Sequence, residues 1–250
     1  MTVRTAALVG VAGGAGTTRT AVELAGVLAR TGRSVLVFDL DFATQGLARR
    51  ASGRIDPDAT AVLTDPDLSV TDATIDWAVP GDGRLSVLPA FAPFVDVAAA
   101  KAPAAAERVG DRLREASATY DHVVVDVPPI AANQAIAGVD AADRVAAVLP
   151  ASERGVEALQ RTRGRLQDVG TDLDLAIAAR VSADASPPDA DLSIPPLPAT
   201  PAPDEPFALR SGGPGVTAVA DAAAALFEVT IDAVATGERS LVDRLRERLL

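Results

Sequence analysis

The sequence predicts an α/β fold with a doubly wound, mostly parallel sheet and helices on both faces. Three observations carry that expectation. Short apolar runs alternate with amphipathic helical stretches along nearly the whole chain. Two of those runs end in acidic residues, and another ends in a glycine-rich turn that opens a helical pattern. The hydrophobic content is 48% but the aromatic content only 3%, so the core is built from Ala, Val and Leu, as where helices cover a parallel sheet.

Taken in order, residues 5–11 (TAALVGV) form the first strand, and Gly13, Gly14, Ala15 and Gly16 the turn after it. Thr17 and Thr18 open a helix with Val22, Ala25, Leu28 and Ala29 on one face, and Gly32 stops it. Residues 34–38 (SVLVF) are a second buried strand, with Asp39 and Asp41 at its C-terminal end. Residues 53–67 are rich in Asp and Pro and read as a loop, and 68–77 as a short helix. A strand at 84–88 and a helix over 95–119, interrupted near Pro103, follow. Residues 122–125 repeat the pattern of an apolar strand ending in an acid, here Asp126, before Pro128 and Pro129. Further strands are expected at 145–149 and 173–178, separated by a helix at 152–169, and a helix at 216–235. The domain boundaries expected are 1–237 for one domain containing a proline-rich loop at 186–206, and 238–250 for a C-terminal amphipathic helix.

Composition narrows the chemistry. The chain has no Cys, which excludes disulfides, thiolate metal sites and cysteine nucleophiles. A single His122 inside an apolar run argues against a Ser-His-Asp triad and a two-histidine metal site, so a metal would be a hard ion on oxygen ligands. The net charge is −11, and Lys101 is the only lysine among 23 basic residues. That balance matches a salt-adapted, halophilic proteome and disfavours direct binding to DNA, which needs a phosphate-neutralising patch. Without a signal peptide or membrane-length apolar window, the expected location is the cytoplasm.

Glycines between a strand and a helix let backbone N–H groups approach an anion, and the helix N-terminus adds a favourable dipole. Two further strands ending in acids place Asp39, Asp41 and Asp126 where a Mg2+-nucleotide needs ligands. With these residues in view, the chain resembles the MinD/ParA group of P-loop ATPases along nearly its whole length. Residues 11–19 (VAGGAGTTR) stand at the deviant Walker A loop, Asp39-Leu40-Asp41 at the D-x-D, and 120–129 (YDHVVVDVPP) at the Walker B strand.

The resemblance implies a nucleotide cradle from Gly13, Gly14, Ala15, Gly16, Thr17, Thr18 and Arg19. It implies Mg2+ at Thr18, Asp39 and Asp126, and Asp41 orienting an attacking water. It implies ATP and Mg2+ as cofactors and a homodimer, or a heterodimer with a related ATPase, with a protein partner at the switch loops. The family's two loop lysines fall at Ala12 and Thr17, and an adenine-reading Asn falls near Ala179. Three functions therefore stand side by side: an ATP-Mg2+ switch with slow or no hydrolysis, a scaffold that binds no nucleotide, and an active ATPase with Arg19 in place of the lysine. Arg19 has a simpler role open to it, an i,i+4 pair with Glu23. Residues 238–250 resemble a MinD membrane-targeting tail, which implies peripheral contact with the inner face of the membrane; docking on its own domain or on a second subunit is the competing reading.

Overall fold

The computed structural model describes residues 3–182, 189–199, 205–210 and 212–231. Strands β1 (Thr5–Gly10), β2 (Ser34–Asp39), β3 (Ile75–Trp77), β4 (Arg84–Leu88), β5 (His122–Val127), β6 (Arg144–Pro150), β7 (Leu175–Ala179) and β8 (Leu192–Ile194) form one sheet in the order β3-β4-β2-β5-β1-β6-β7-β8. Every pairing is parallel except that of β3 with β4. The central strands are buried along their full length, as a sheet covered on both faces requires.

Helix α1 (Thr17–Arg30) lies on one face with α8 (Pro214–Phe227) and the short α7 (Phe207–Arg210), around a core that includes Leu24, Leu28, Val37, Val219 and Leu226. On the other face α2 (Ala59–Thr64), α3 (Phe94–Ala100), α4 (Pro103–Thr119) and α5 (Asn133–Asp140) pack over Leu36, Phe38, Val125 and their neighbours. Helix α6 (Glu153–Asp168) covers Ala147, Leu149 and Ala178 through Ala158 and Leu159. Glu23, fully buried in α1, accepts the backbone N–H groups of Phe207 and Ala208 at 2.9 and 2.8 Å, so a carboxylate staples α7 to the body by its N-terminus.

Several local expectations change. The stretch 53–67 is not wholly loop: Asp58 caps α2 by accepting the Ala61 N–H at 2.9 Å. The expected helix at 68–77 is a 3-10 turn, Val70–Ala73, followed by β3, which pairs with β4 at the sheet edge and buries Trp77 in the core. The proline-rich stretch contains β8, an edge strand, where Pro on the flanks costs no ladder bond. Helix α8 stops at Phe227, with Glu228 in a left-handed conformation at φ 55°, short of the expected 235. The tail at 238–250 lies outside the described residues. His122 is buried with its ring edge-on to Phe227, 4.8 Å between centroids, a packing position in the sheet.

One close approach sets a limit on the fold. A Cβ at Gly83 would stand 1.8 Å from the Ala29 carbonyl oxygen at the end of α1. Gly83→Ala is expected to lower unfolding free energy by about 3 kcal/mol, the upper end of overpacking costs, because the obstacle is backbone. Urea denaturation checks this; a loss under about 0.5 kcal/mol would contradict it.

Candidate functional site

A parallel sheet gathers its ligand-binding residues at the carboxyl ends of the strands. Here the loop after β1 runs from Val11, whose N–H is held by the Val148 carbonyl at 3.1 Å, to the start of α1. Gly14 (φ 75°) and Gly16 (φ 98°) adopt left-handed conformations that a β-carbon would strain, and this turns successive N–H groups toward one side. Helix α1 has no side-chain cap and no acidic residue in its first turn, so its dipole and its leading N–H groups are left for an external acceptor.

The loop borders an open cavity of about 710 Å3, whose walls include Gly13, Thr17, Thr18, Asp41, Thr44 and Lys101. Asp41 is oriented by Thr44, which donates to it through its backbone N–H at 3.2 Å and its hydroxyl at 2.5 Å. Gln45, at φ 50°, donates to the Ala92 carbonyl at 2.8 Å and so ties this loop to the segment before α3.

Behind the cavity, Asp39 and Asp126 are paired residues on adjacent strands, and both are buried. Asp39 accepts the Asp41 N–H at 2.8 Å and the Ala90 N–H at 3.3 Å. Both of its oxygens are thus committed to the backbone, and like Asp126 it lies behind the cavity-lining residues. These bonds make Asp39 a support for the 41–45 loop. Asp126 differs: its Oδ2 has no hydrogen-bond partner although it is buried. Burial pushes the Asp126 carboxyl up to about 7; Thr18 opposes the rise and the charge of Asp41 adds to it. Asp39 is raised as well, by burial first and then by Asp126. An unpartnered buried carboxylate oxygen behind a threonine hydroxyl is what a hydrated divalent cation would satisfy. No cluster of three acidic or histidine ligands exists among the described residues, so a metal here would be completed by non-protein oxygens.

Arg19 takes the simpler of its two expected roles. Its Nε donates to Glu23 at 2.6 Å and its Nη2 to the Pro198 carbonyl at 2.9 Å, although the side chain still borders the cavity. Two cations that sequence reasoning did not place also line it. Arg180, just past the end of β7 at φ 59°, donates to the Gly14 carbonyl. Lys101, at the C-terminus of α3, presents the chain's only lysine. For Arg180 a signal existed, its place one residue beyond a strand end. Lys101 gave none, since the end of α3 reaches the cavity only through the tertiary fold.

A family model described as an AAA domain matches residues 3–177. No curated protein matches the chain. Among solved structures it is similar to the cell division ATPase MinD of Pyrococcus furiosus, with a TM-score of 0.70 and 18% identity over 89% of this chain and 99% of that one. It is also similar to the septum site-determining protein MinD of Pyrococcus horikoshii complexed with Mg-ADP, at a TM-score of 0.63 and 18% identity over 93% and 92%. A third is the cobyrinic acid a,c-diamide synthase of Mycobacterium smegmatis with bound ADP and magnesium, at 0.65 and 21% identity over 89% and 93%. Among the described residues no helix is long and apolar enough to cross a membrane.

Proposed function

The chain belongs to the AAA domain family of MinD/ParA-type P-loop proteins, and from that premise we propose that it binds ATP with Mg2+, hydrolyses it slowly or not at all, and uses occupancy to switch a dimer or partner interface. The observation that carries this reading is the unpartnered Oδ2 of Asp126 behind an uncapped, glycine-rich helix start that opens on the cavity. Backbone N–H groups over residues 13–18 hold phosphates, the Thr18 hydroxyl and Asp126 hold the hydrated metal, and Asp41 orients water. Bound Mg2+ supplies neutralisation of phosphate charge. Slow turnover follows from Ala12 and Thr17, where the resemblance expects lysines.

A route from site to surface supports the switch. Residues 90–92 are held at three points: Asp39 accepts from Ala90, Asp58 accepts from Phe91 at 2.6 Å, and Gln45 donates to Ala92. Phe91 itself is 60% exposed, and immediately beyond stand Phe94 and Val95, 86% and 69% exposed, on a chain with few aromatics to spare. A change at Asp39 or in the 41–45 loop therefore reaches an apolar surface suited to a protein partner.

Isothermal titration with ATP and Mg2+ at several salt concentrations tests the reading. Saturable heat with a dissociation constant in the micromolar range, weakened at least tenfold by Asp126→Asn when Mg2+ is present, is expected. Absence of heat and of any thermal shift would leave the second reading, a scaffold without nucleotide, which the missing loop lysines favour.

A further inference from the structure

We propose that Lys101 is the ammonium that meets the terminal phosphates of the bound nucleotide, delivered from the end of α3 and not from the glycine loop. The proposal rests on the nucleotide reading above and assigns the charge that the loop itself lacks.

Four observations converge on it. Lys101 lines the same cavity as Gly13, Thr17, Thr18 and Asp41, on a wall formed by a different element. Its backbone is fixed there: its carbonyl accepts the Asn133 Nδ2 at 3.0 Å from the first turn of α5, and its own N–H closes α3 on the Val97 carbonyl. Lys101 is half-buried as a residue, and its ammonium has no carboxylate within 4.0 Å among the described residues, so it is not spent on Asp41 or on any other acid. The other two cations on the cavity are spent: Arg19 on Glu23 and Pro198, and Arg180 on the Gly14 carbonyl.

The choice of residue type sharpens the point. Every other cation in the chain is arginine. Arginine suits fixed, forked contacts, which is how Arg19, Arg112 and Arg144 are used here. A lysine brings a compact charge with three rotatable donors on a flexible stem, which suits a phosphate group reached from a distance. An ammonium with no carboxylate within 4.0 Å among the described residues, on a cavity that an uncapped helix start also borders, has an electrostatic reason to take up an anion.

Because Lys101 is the only lysine, an amine-reactive ester reads one side chain in the whole protein, with the N-terminal amine as internal reference. The full-length protein is acylated with and without saturating ATP-Mg2+, pyrophosphate-Mg2+ or adenosine, and the rates are read by peptide mass spectrometry beside a calorimetric titration of each compound. ATP and pyrophosphate should slow acylation of Lys101 at least tenfold, adenosine should not, and the N-terminal rate should hold. Unchanged acylation where calorimetry registers ATP binding overturns the role of Lys101 and leaves the nucleotide reading standing; no binding of ATP overturns both. Lys101→Gln should weaken ATP about tenfold and AMP less than twofold, with Lys101→Arg restoring most of the loss. An equal loss for ATP and AMP would mean a merely structural contribution and overturn the proposal.

Discussion

Asp126→Asn is expected to stabilise the ligand-free protein by about 2–4 kcal/mol at pH 8 and to flatten its stability between about pH 4 and 7. The carboxyl is raised from its ordinary value of 3.8 to about 7, by burial first. In that window the folded state keeps a proton that the unfolded chain has released. Stability therefore falls as pH rises through it and levels off above about 7. Each unit of difference is worth about 1.4 kcal/mol, which sets a ceiling near 4, and the amide's own need for partners in a buried site reduces it. Asp39 is raised too and slopes the same way, and loss of the neighbouring charge at 126 relaxes it in the variant. Urea denaturation of both proteins at pH 5, 6, 7 and 8 checks this. A wild-type profile that is flat or rises across the window, or a variant less stable than wild type at pH 8, would contradict it.

The sign of that slope has a functional meaning. A carboxylate that costs stability when charged is held in place by the wider sheet, in the way binding sites commonly draw on the stability of the fold around them. A cation at Asp126 favours the charged form, so stabilisation by Mg2+ and nucleotide is expected to grow from pH 6 to 8, opposite to the slope of the ligand-free protein.

Much of this arrangement was legible in the sequence because it is local. A buried parallel strand is a short apolar run, and an acid directly after it must lie at the carboxyl edge of the sheet, which is how the sequence alone places Asp39 and Asp126 together. The glycines of the loop were legible for the same reason. What escaped depends on contacts distant in sequence. Asp58 reads as one more residue in a polar stretch, and only the fold shows it holding Phe91, 33 positions away. β8 spans three residues among prolines, too few to show a period. The commitment of Asp39 to backbone N–H groups depends on where Ala90 arrives. Lys101 is the strongest case: it stands far from the loop in sequence, and only the packing of α3 and the bond from Asn133 bring it to the cavity.

Thr17→Lys is expected to raise ATP hydrolysis about 30- to 1,000-fold. Thr17 lines the cavity as the first residue of α1, with its Oγ1 2.6 Å from where a β-carbon on Gly10 would stand, so its side chain starts at the bottom of the cradle. A preorganised cation aimed at charge developing on phosphate is worth about 2–4 kcal/mol in the transition state, and each 1.4 kcal/mol is tenfold in rate. Without nucleotide the same lysine faces the positive end of the helix dipole, at a cost of about 0.3–1 kcal/mol in stability. A lower melting temperature together with faster phosphate release is thus the expected pair of results. Asp41→Asn added to Thr17→Lys should cancel the gain, because the water loses its orienting group while ATP remains bound. Lys101 sets the size of the effect. If its ammonium already meets the terminal phosphates, the two cations share one task and their contributions do not add. The gain from Thr17→Lys should then lie near the lower bound in the wild-type background and several-fold higher in Lys101→Gln. Equal gains in both backgrounds would place the two lysines on separate tasks, and phosphate release unchanged in a Thr17→Lys protein that still binds ATP would reject the account of slow turnover.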